Sequence, residues 1–144
     1  MEFIEKTLNS RKVYSGKVID LRVDEVMLPN GKKSTREIVE HYGAIAVVAI
    51  NELNEVIMVR QYRKPVESVI LEIPAGRIES GEEVEACAQR EQMEEIGYYA
   101  DELIPLIDFY STPGFSTEKM HIFLATQLKR KKKSADDDEN IQIE

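Results

Sequence analysis

Two glutamates within residues 81–97, Glu91 and Glu95, have a spacing suited to holding a metal ion. At 100° per residue they continue the helical stripe begun by Val84 and Ala88, so an apolar face becomes doubly anionic toward its C-terminal end. Repulsion at i,i+4, the negative helix end and partial burial all disfavour this arrangement. A divalent cation would reverse all three effects, and Mg²⁺ commonly binds one or two carboxylates plus substrate phosphates. The spacing favours a magnesium site; the alternative is a solvated acidic helix.

Local signals predict where this helix begins and ends. Ser80 and Glu83 have capping-box spacing, which predicts a helix that begins near residue 81. Gly97 supplies the expected C-terminal stop. Cys87 falls on the inner side, where a small buried hydrophobe is expected rather than a nucleophile.

Most of the remaining chain has the pattern of strands. The Pro29–Lys32 turn predicts a hairpin, and the apolar run Gly43–Ile50 predicts a strand buried on both faces. Further strands are predicted at Glu55–Tyr62, Val69–Ile73, Leu103–Tyr110 and Lys119–Leu128. Strands, one helix and more strands indicate an α+β fold with a mixed sheet, in an αβα layout.

Composition narrows the class of protein. A chain of 144 residues is about one domain. Its net charge of −8 argues against a nucleic-acid surface, and no apolar stretch approaches the length of a membrane span. A single cysteine suits the reducing cytoplasm.

The glutamates belong to a longer pattern that resembles the signature of the Nudix hydrolases. The matching positions are Gly76, Glu82, Arg90, Glu91, Glu94, Glu95 and Gly97. Gln92 departs from the pattern, because the family usually has an aliphatic residue there. The resemblance implies a mixed sheet between helices, although the sequence ends at Glu144 without the usual final helix. It also implies an N-terminal strand region, 1–41, and a catalytic domain, 42–144.

The flanking sequence is similar to that of ADP-ribose pyrophosphatases. The similar segments are Lys17–Gly43, Arg60–Arg63, Leu71–Gly76 and Ser111–Ala125, the last of which contains Pro113. This resemblance implies Mg²⁺-dependent hydrolysis of ADP-ribose to AMP and ribose 5-phosphate, with Mn²⁺ as a possible substitute. Two alternatives stay open: another nucleoside diphosphate sugar as substrate, or a catalytically silent nucleotide-binding module.

The same resemblance implies roles for residues near the helix. Glu91, Glu95 and the backbone carbonyl of Ala75 would bind the metal. Glu94 would hold a second ion through water, and Arg90 would orient the carboxylates.

The general base is expected in the acidic stretch near the end of the sequence. There Glu139 matches best, with Asp138 as the fallback. The alternative for this stretch is a solvated acidic run.

Substrate contacts are expected on other segments. Arg36 and Glu37 would contact the adenosine portion and Arg60 the phosphates. Pro113 would shape the substrate loop, and Glu118 would face the terminal ribose. For each arginine, the alternative is a surface residue paired with a glutamate.

A homodimer is expected as well. The N-terminal strands are too few to bury a core alone, and in the resembled subfamily they pack across to a second subunit.

Overall fold

β-Strands dominate the computed structural model, which describes residues 3–131 and 141–144. The chain forms two compact units. The first unit contains the described residues up to Tyr42 together with Tyr110–Lys119. The second unit contains Gly43–Phe109 and the described residues from Met120 onward.

An antiparallel sheet of three strands forms most of the first unit. Its strands, in spatial order, are β1 (Lys6–Ser15), β2 (Asp20–Met27) and β3 (Lys33–Glu40). The predicted hairpin turn between β2 and β3 is confirmed: the Leu28 N–H donates to the Lys32 carbonyl at 2.8 Å, and Gly31 has φ +80°. Every residue of β1 is exposed, so this strand contributes no buried side chain to the unit.

Two sheets form the second unit. The larger contains β4 (Ala44–Ile50), β5 (Val56–Ile57), β8 (Ala75–Arg77), β9 (Tyr98–Tyr110) and β10 (Lys119–Arg130). The smaller contains β6 (Val59–Arg63), β7 (Ser68–Glu72) and β11 (Gln142–Ile143). Strand β4 is central, because it pairs parallel with β10 on one edge and antiparallel with β5 and β8 on the other. The predicted α+β class and mixed sheet are confirmed.

The α-helix of the second unit, α1 (Val84–Ile96), packs on this mixed sheet through contacts with β4 and β8. Its Cys87, Ala88 and Ile96 join a core that includes Ile45 and Val47 of β4. It is the only α-helix among the described residues, so they contain no second helical layer of the expected αβα arrangement. The described part of the chain also includes no helix long and apolar enough to cross a membrane.

The ends of α1 differ in how well the sequence predicts them. Gly97 ends the helix as expected, with φ +73° and its N–H donating to the Met93 carbonyl at 3.1 Å. The predicted capping box is wrong: the helix begins at Val84, and its N-cap residue, Glu83, makes no side-chain cap. Gly81 adopts φ +79°, which turns the chain before the helix and delays its start.

The predicted strand Glu55–Tyr62 is interrupted at Met58. Its backbone N–H donates at 2.7 Å to the carbonyl of Glu144, which returns the bond at 2.8 Å. Strand β5 therefore joins the larger sheet, and β6 joins the smaller one.

Candidate active site

The acidic face of α1 is buried as the stripe predicted. Glu91 is 9% exposed and Glu95 is 3% exposed, whereas the neighbouring Glu85 is exposed. Burying carboxylates without compensation costs several kcal/mol or more. The protein must therefore supply compensating charges or donors at this face.

Strand β8 supplies one of these donors. The Ala75 N–H donates to Oε2 of Glu95 at 3.0 Å. Its position is fixed by β4, because Ala75 pairs with Ala46 and the Val47 N–H donates to the Pro74 carbonyl at 2.8 Å. The central strand of the sheet thereby sets where the helix presents Glu95.

Gly76 lets β8 approach the helix closely. A methyl group added at its Cα would lie 1.8 Å from Cδ of Glu91, well inside contact distance. A glycine is therefore required beside the Glu91 side chain.

Arg90 supplies the compensating positive charge. Its Nε and Nη2 grip both carboxylate oxygens of Glu82, at 2.8 and 2.9 Å. Its Nη1 reaches Glu91 at 2.7 Å and Glu94 at 3.0 Å. One guanidinium thus links three carboxylates, an arrangement suited to its rigid fork of donors.

This network shifts the protonation of its members. Hydrogen bonds from Arg90 lower the pKa of Glu82 from its ordinary value of 4.5 to about 2, against the opposing effect of burial. The bond to Glu82 likewise raises the pKa of Arg90. The Glu79 N–H donates to Glu82 at 3.0 Å, so Glu82 also ties down the turn before the helix.

Two other side chains of α1, Cys87 and Gln92, lie in the protein interior. Cys87 is fully buried, which raises the pKa of its thiol to about 12, so it is protonated at neutral pH and unsuited to nucleophilic attack. Gln92 is also fully buried, and its Nε2 donates to the Tyr98 carbonyl at 3.2 Å. No donor among the described residues reaches its Oε1.

A cavity of about 370 Å³ in the first unit brings together three of the predicted substrate residues. Arg36 and Glu37 contribute to its lining from β3, and Pro113 contributes from the loop after β9. Arg36 forms two bonds with Glu5, at 2.6 and 2.8 Å. The cavity therefore contains a guanidinium already held in place by a carboxylate.

The other predicted residues lie elsewhere. Glu118, also in the first unit, accepts a hydrogen bond from Ser111 at 2.5 Å. In the second unit, Arg60 forms a two-bond ion pair with Glu144, at 2.6 and 2.8 Å, which is the arrangement that the alternative interpretation predicted. Glu139 and Asp138 lie outside the described residues.

Family comparison accounts for both parts of the chain. Residues 39–144 match the NUDIX domain, and residues 5–39 match the nucleoside diphosphate sugar hydrolase N-terminal domain. The chain belongs to the Nudix family. The resemblance drawn from the glutamate pattern is thus confirmed, and the enzyme class is that of a Nudix hydrolase.

Similar proteins extend this Nudix assignment over nearly the whole sequence. An ADP-ribose pyrophosphatase of Bacillus subtilis is 50% identical over 141 residues, which cover 96% of this chain and 76% of the relative. A methanol dehydrogenase activator of Bacillus methanolicus is 47% identical, covering 98% and 77% respectively. The crystal structure of an ADP compounds hydrolase superposes with a TM-score of 0.86 at 26% identity, covering 99% of this chain and 78% of the other.

The donors of the Nudix helix fit a hard divalent cation. No group of three or more His, Cys, Asp or Glu side chains in the described ranges is arranged to enclose a metal by itself. Glu91 and Glu95 are nevertheless buried carboxylates one helical turn apart, and the Ala75 carbonyl is part of the adjoining strand. Oxygen donors of this kind suit Mg²⁺, which keeps several water or phosphate ligands of its own.

Sequence reasoning missed two features of this Nudix site. The bidentate contact between Arg90 and Glu82 joins residues eight positions apart, outside the i,i+4 spacing that a helix pattern shows. The contact between Gly76 and Glu91 depends on how the strand meets the helix, although an isolated glycine in a strand is a signal of close approach.

Gly76→Ala should abolish divalent-cation binding while the protein stays folded. The new methyl group would displace the end of a flexible Glu91 side chain rather than backbone. Isothermal titration with Mn²⁺, combined with thermal unfolding, measures both effects. The matched control is Gly114→Ala, where an added methyl meets no atom within 4 Å; equal Mn²⁺ affinity in the two variants would contradict the expectation.

The ion pair between Glu82 and Arg90 should make stability depend on pH. Because folding lowers the pKa of Glu82 from 4.5 to about 2, its contribution is complete above pH 4.5 and is lost as pH falls through 2. Glu82→Gln should therefore reduce the free energy of unfolding at pH 6 by on the order of 2 kcal/mol, with a smaller difference near pH 2. Urea unfolding at several pH values tests this, with the exposed Glu85→Gln as control; a difference that stays constant with pH would contradict it.

Proposed function

We propose that this Nudix hydrolase cleaves the pyrophosphate bond of ADP-ribose, producing AMP and ribose 5-phosphate, with Mg²⁺ as cofactor and Mn²⁺ as the alternative metal. The observation that carries the proposal is the buried pair of Glu91 and Glu95 at the edge of β8. The 50% identity to the Bacillus subtilis ADP-ribose pyrophosphatase supports this choice among Nudix substrates.

The residues around α1 would hold the cation and orient its ligands. In this proposal Glu91, Glu95 and the Ala75 carbonyl would bind it, and Glu94 would hold a second ion through water. When bound, the cation neutralises charge on the diphosphate and lowers the pKa of water. Arg90 keeps Glu91 and Glu94 in place, because one of its nitrogens contacts both carboxylates.

Glu139 is the proposed general base, with Asp138 as fallback. The proposal for Glu139 rests on the resemblance to ADP-ribose pyrophosphatases. As general base, this carboxylate would take a proton from the attacking water.

The first unit is proposed to select the substrate. Arg36 and Glu37 would bind the adenosine portion in the cavity that they share with Pro113, and Glu118 would face the terminal ribose. Arg60 would contact the phosphates, for which it would have to exchange its present partner, Glu144. Its guanidinium is exposed enough to make this exchange at modest cost.

A different nucleoside diphosphate sugar is the alternative substrate, and a silent nucleotide-binding module is the alternative function. The first predicts a higher kcat/KM for a compound such as ADP-glucose or GDP-mannose. The second predicts nucleotide binding without turnover, and residual activity that is indifferent to changes at Glu95.

Incubation with ADP-ribose and Mg²⁺ should release AMP, and EDTA should stop the reaction. Glu95→Gln should lower kcat about a hundredfold or more, because the site loses a charged ligand from a buried position. Glu85→Gln, the same change on the exposed side of the helix, should retain kcat. Quantifying AMP by chromatography decides the matter: no AMP from the wild-type protein, or equal rates for the two variants, would defeat the proposal.

We also propose a cytoplasmic homodimer. The exposure of all of β1, including Leu8, Val13 and Tyr14, supports association through the N-terminal strands. Light scattering at micromolar concentration should give twice the mass of one chain, and Leu8→Glu with Val13→Glu should give a folded monomer. A monomeric wild-type protein would refute this part of the proposal.

A further inference from the structure

The loop after β9 is closed by hydrogen bonds between its own backbone groups. The Phe115 and Ser116 N–H groups both donate to the Thr112 carbonyl, at 3.2 and 3.0 Å. The Ser111 N–H donates to the Glu118 carbonyl at 3.2 Å, which joins the two ends of the loop. The internal bonds of this segment, Ser111–Glu118, define its shape, and its position depends on how it is attached to the rest of the unit.

Strand β3 and the residue that follows it provide that attachment. The Val39 N–H donates to the Phe115 carbonyl at 2.7 Å, and the Thr117 N–H donates to the Val39 carbonyl at 2.9 Å. The next connection comes from a side chain: Oγ1 of Thr117 accepts from the His41 N–H at 2.9 Å and donates to the His41 carbonyl at 3.2 Å. The Thr117 hydroxyl thus replaces the backbone donor and acceptor that a longer strand would offer.

The attachment determines the shape of the cavity in the first unit. Arg36 and Glu37 lie on β3, whereas Pro113, Gly114 and Thr117 belong to the loop. Arg36 is held by Glu5, so the distance across the cavity depends on how the loop is attached to β3 and His41. A ligand group held between the two sides would be sensitive to a small displacement of either.

We propose that Thr117 is a positioning residue for substrate selection. By bonding both backbone groups of His41, it holds Pro113 and Gly114 at the distance from Arg36 that an adenosine group requires. This inference rests on the proposed function, since it takes the cavity to be the nucleoside site. It predicts that loss of the Thr117 hydroxyl changes the KM for the substrate and leaves kcat nearly unchanged.

Thr117→Val and Thr117→Ser separate this role from general packing. Valine keeps the branched shape and loses the hydroxyl, so the KM for ADP-ribose should rise about fivefold, the effect of losing one or two exposed hydrogen bonds. The kcat should stay within about twofold, because the transition-state contacts are retained. Serine keeps the hydroxyl and should retain the wild-type KM. The preference for ADP-ribose over GDP-mannose, which carries another base, should narrow in the valine variant alone.

Thr126→Val is the matched control, since the Thr126 hydroxyl bonds Glu102 at 2.7 Å in the second unit and lines no part of this cavity. Mn²⁺ titration of each variant confirms that the metal site is intact. Unchanged KM in Thr117→Val, or an equal rise in Thr117→Ser or Thr126→Val, would overturn the inference while wild-type hydrolysis still supports the proposed function. Absence of hydrolysis by the wild-type protein would refute the proposed function and this inference together.

Discussion

The burial of two carboxylates on one face of a helix is the constraint on which the rest of the second unit depends. Glu91 and Glu95 repel each other and lie toward the unfavourable end of the helix dipole. Two contacts compensate the cost of burying them. The Arg90 guanidinium contacts Glu91 directly, and the Ala75 N–H contacts Glu95. The contact from Ala75 requires β8 to lie against the helix, and β4 holds β8 there.

The carboxylates that Arg90 contacts differ in how many of its donors they use. Glu82 binds Arg90 through both oxygens and also accepts from the Glu79 N–H, so it joins Arg90 to the turn before the helix. Glu94 shares Nη1 of Arg90 with Glu91 and remains partly exposed. Two nitrogens of Arg90 are therefore used by Glu82, while Glu91 and Glu94 share the third.

Local chemistry made part of this structure predictable. The period of the glutamates, the glycine at the end of α1 and the turn before β3 each act within a few residues, and each was predicted correctly. One failure came from a distant partner. Met58 leaves its predicted strand because its backbone bonds that of Glu144, far along the sequence. The capping-box spacing also predicted the wrong N-cap, because Gly81 turns the chain directly after Ser80 and the helix begins only at Val84.

The fully buried Gln92 has a practical consequence. Its amide nitrogen holds the carbonyl of Tyr98, while its oxygen meets no donor among the described residues, and such an acceptor typically costs about 1–3 kcal/mol. An aliphatic residue of similar volume would remove this unpaired acceptor but also the hydrogen bond to Tyr98. The heat tolerance of this enzyme therefore depends, at one interior position, on the balance between a bond made and an acceptor left unpaired.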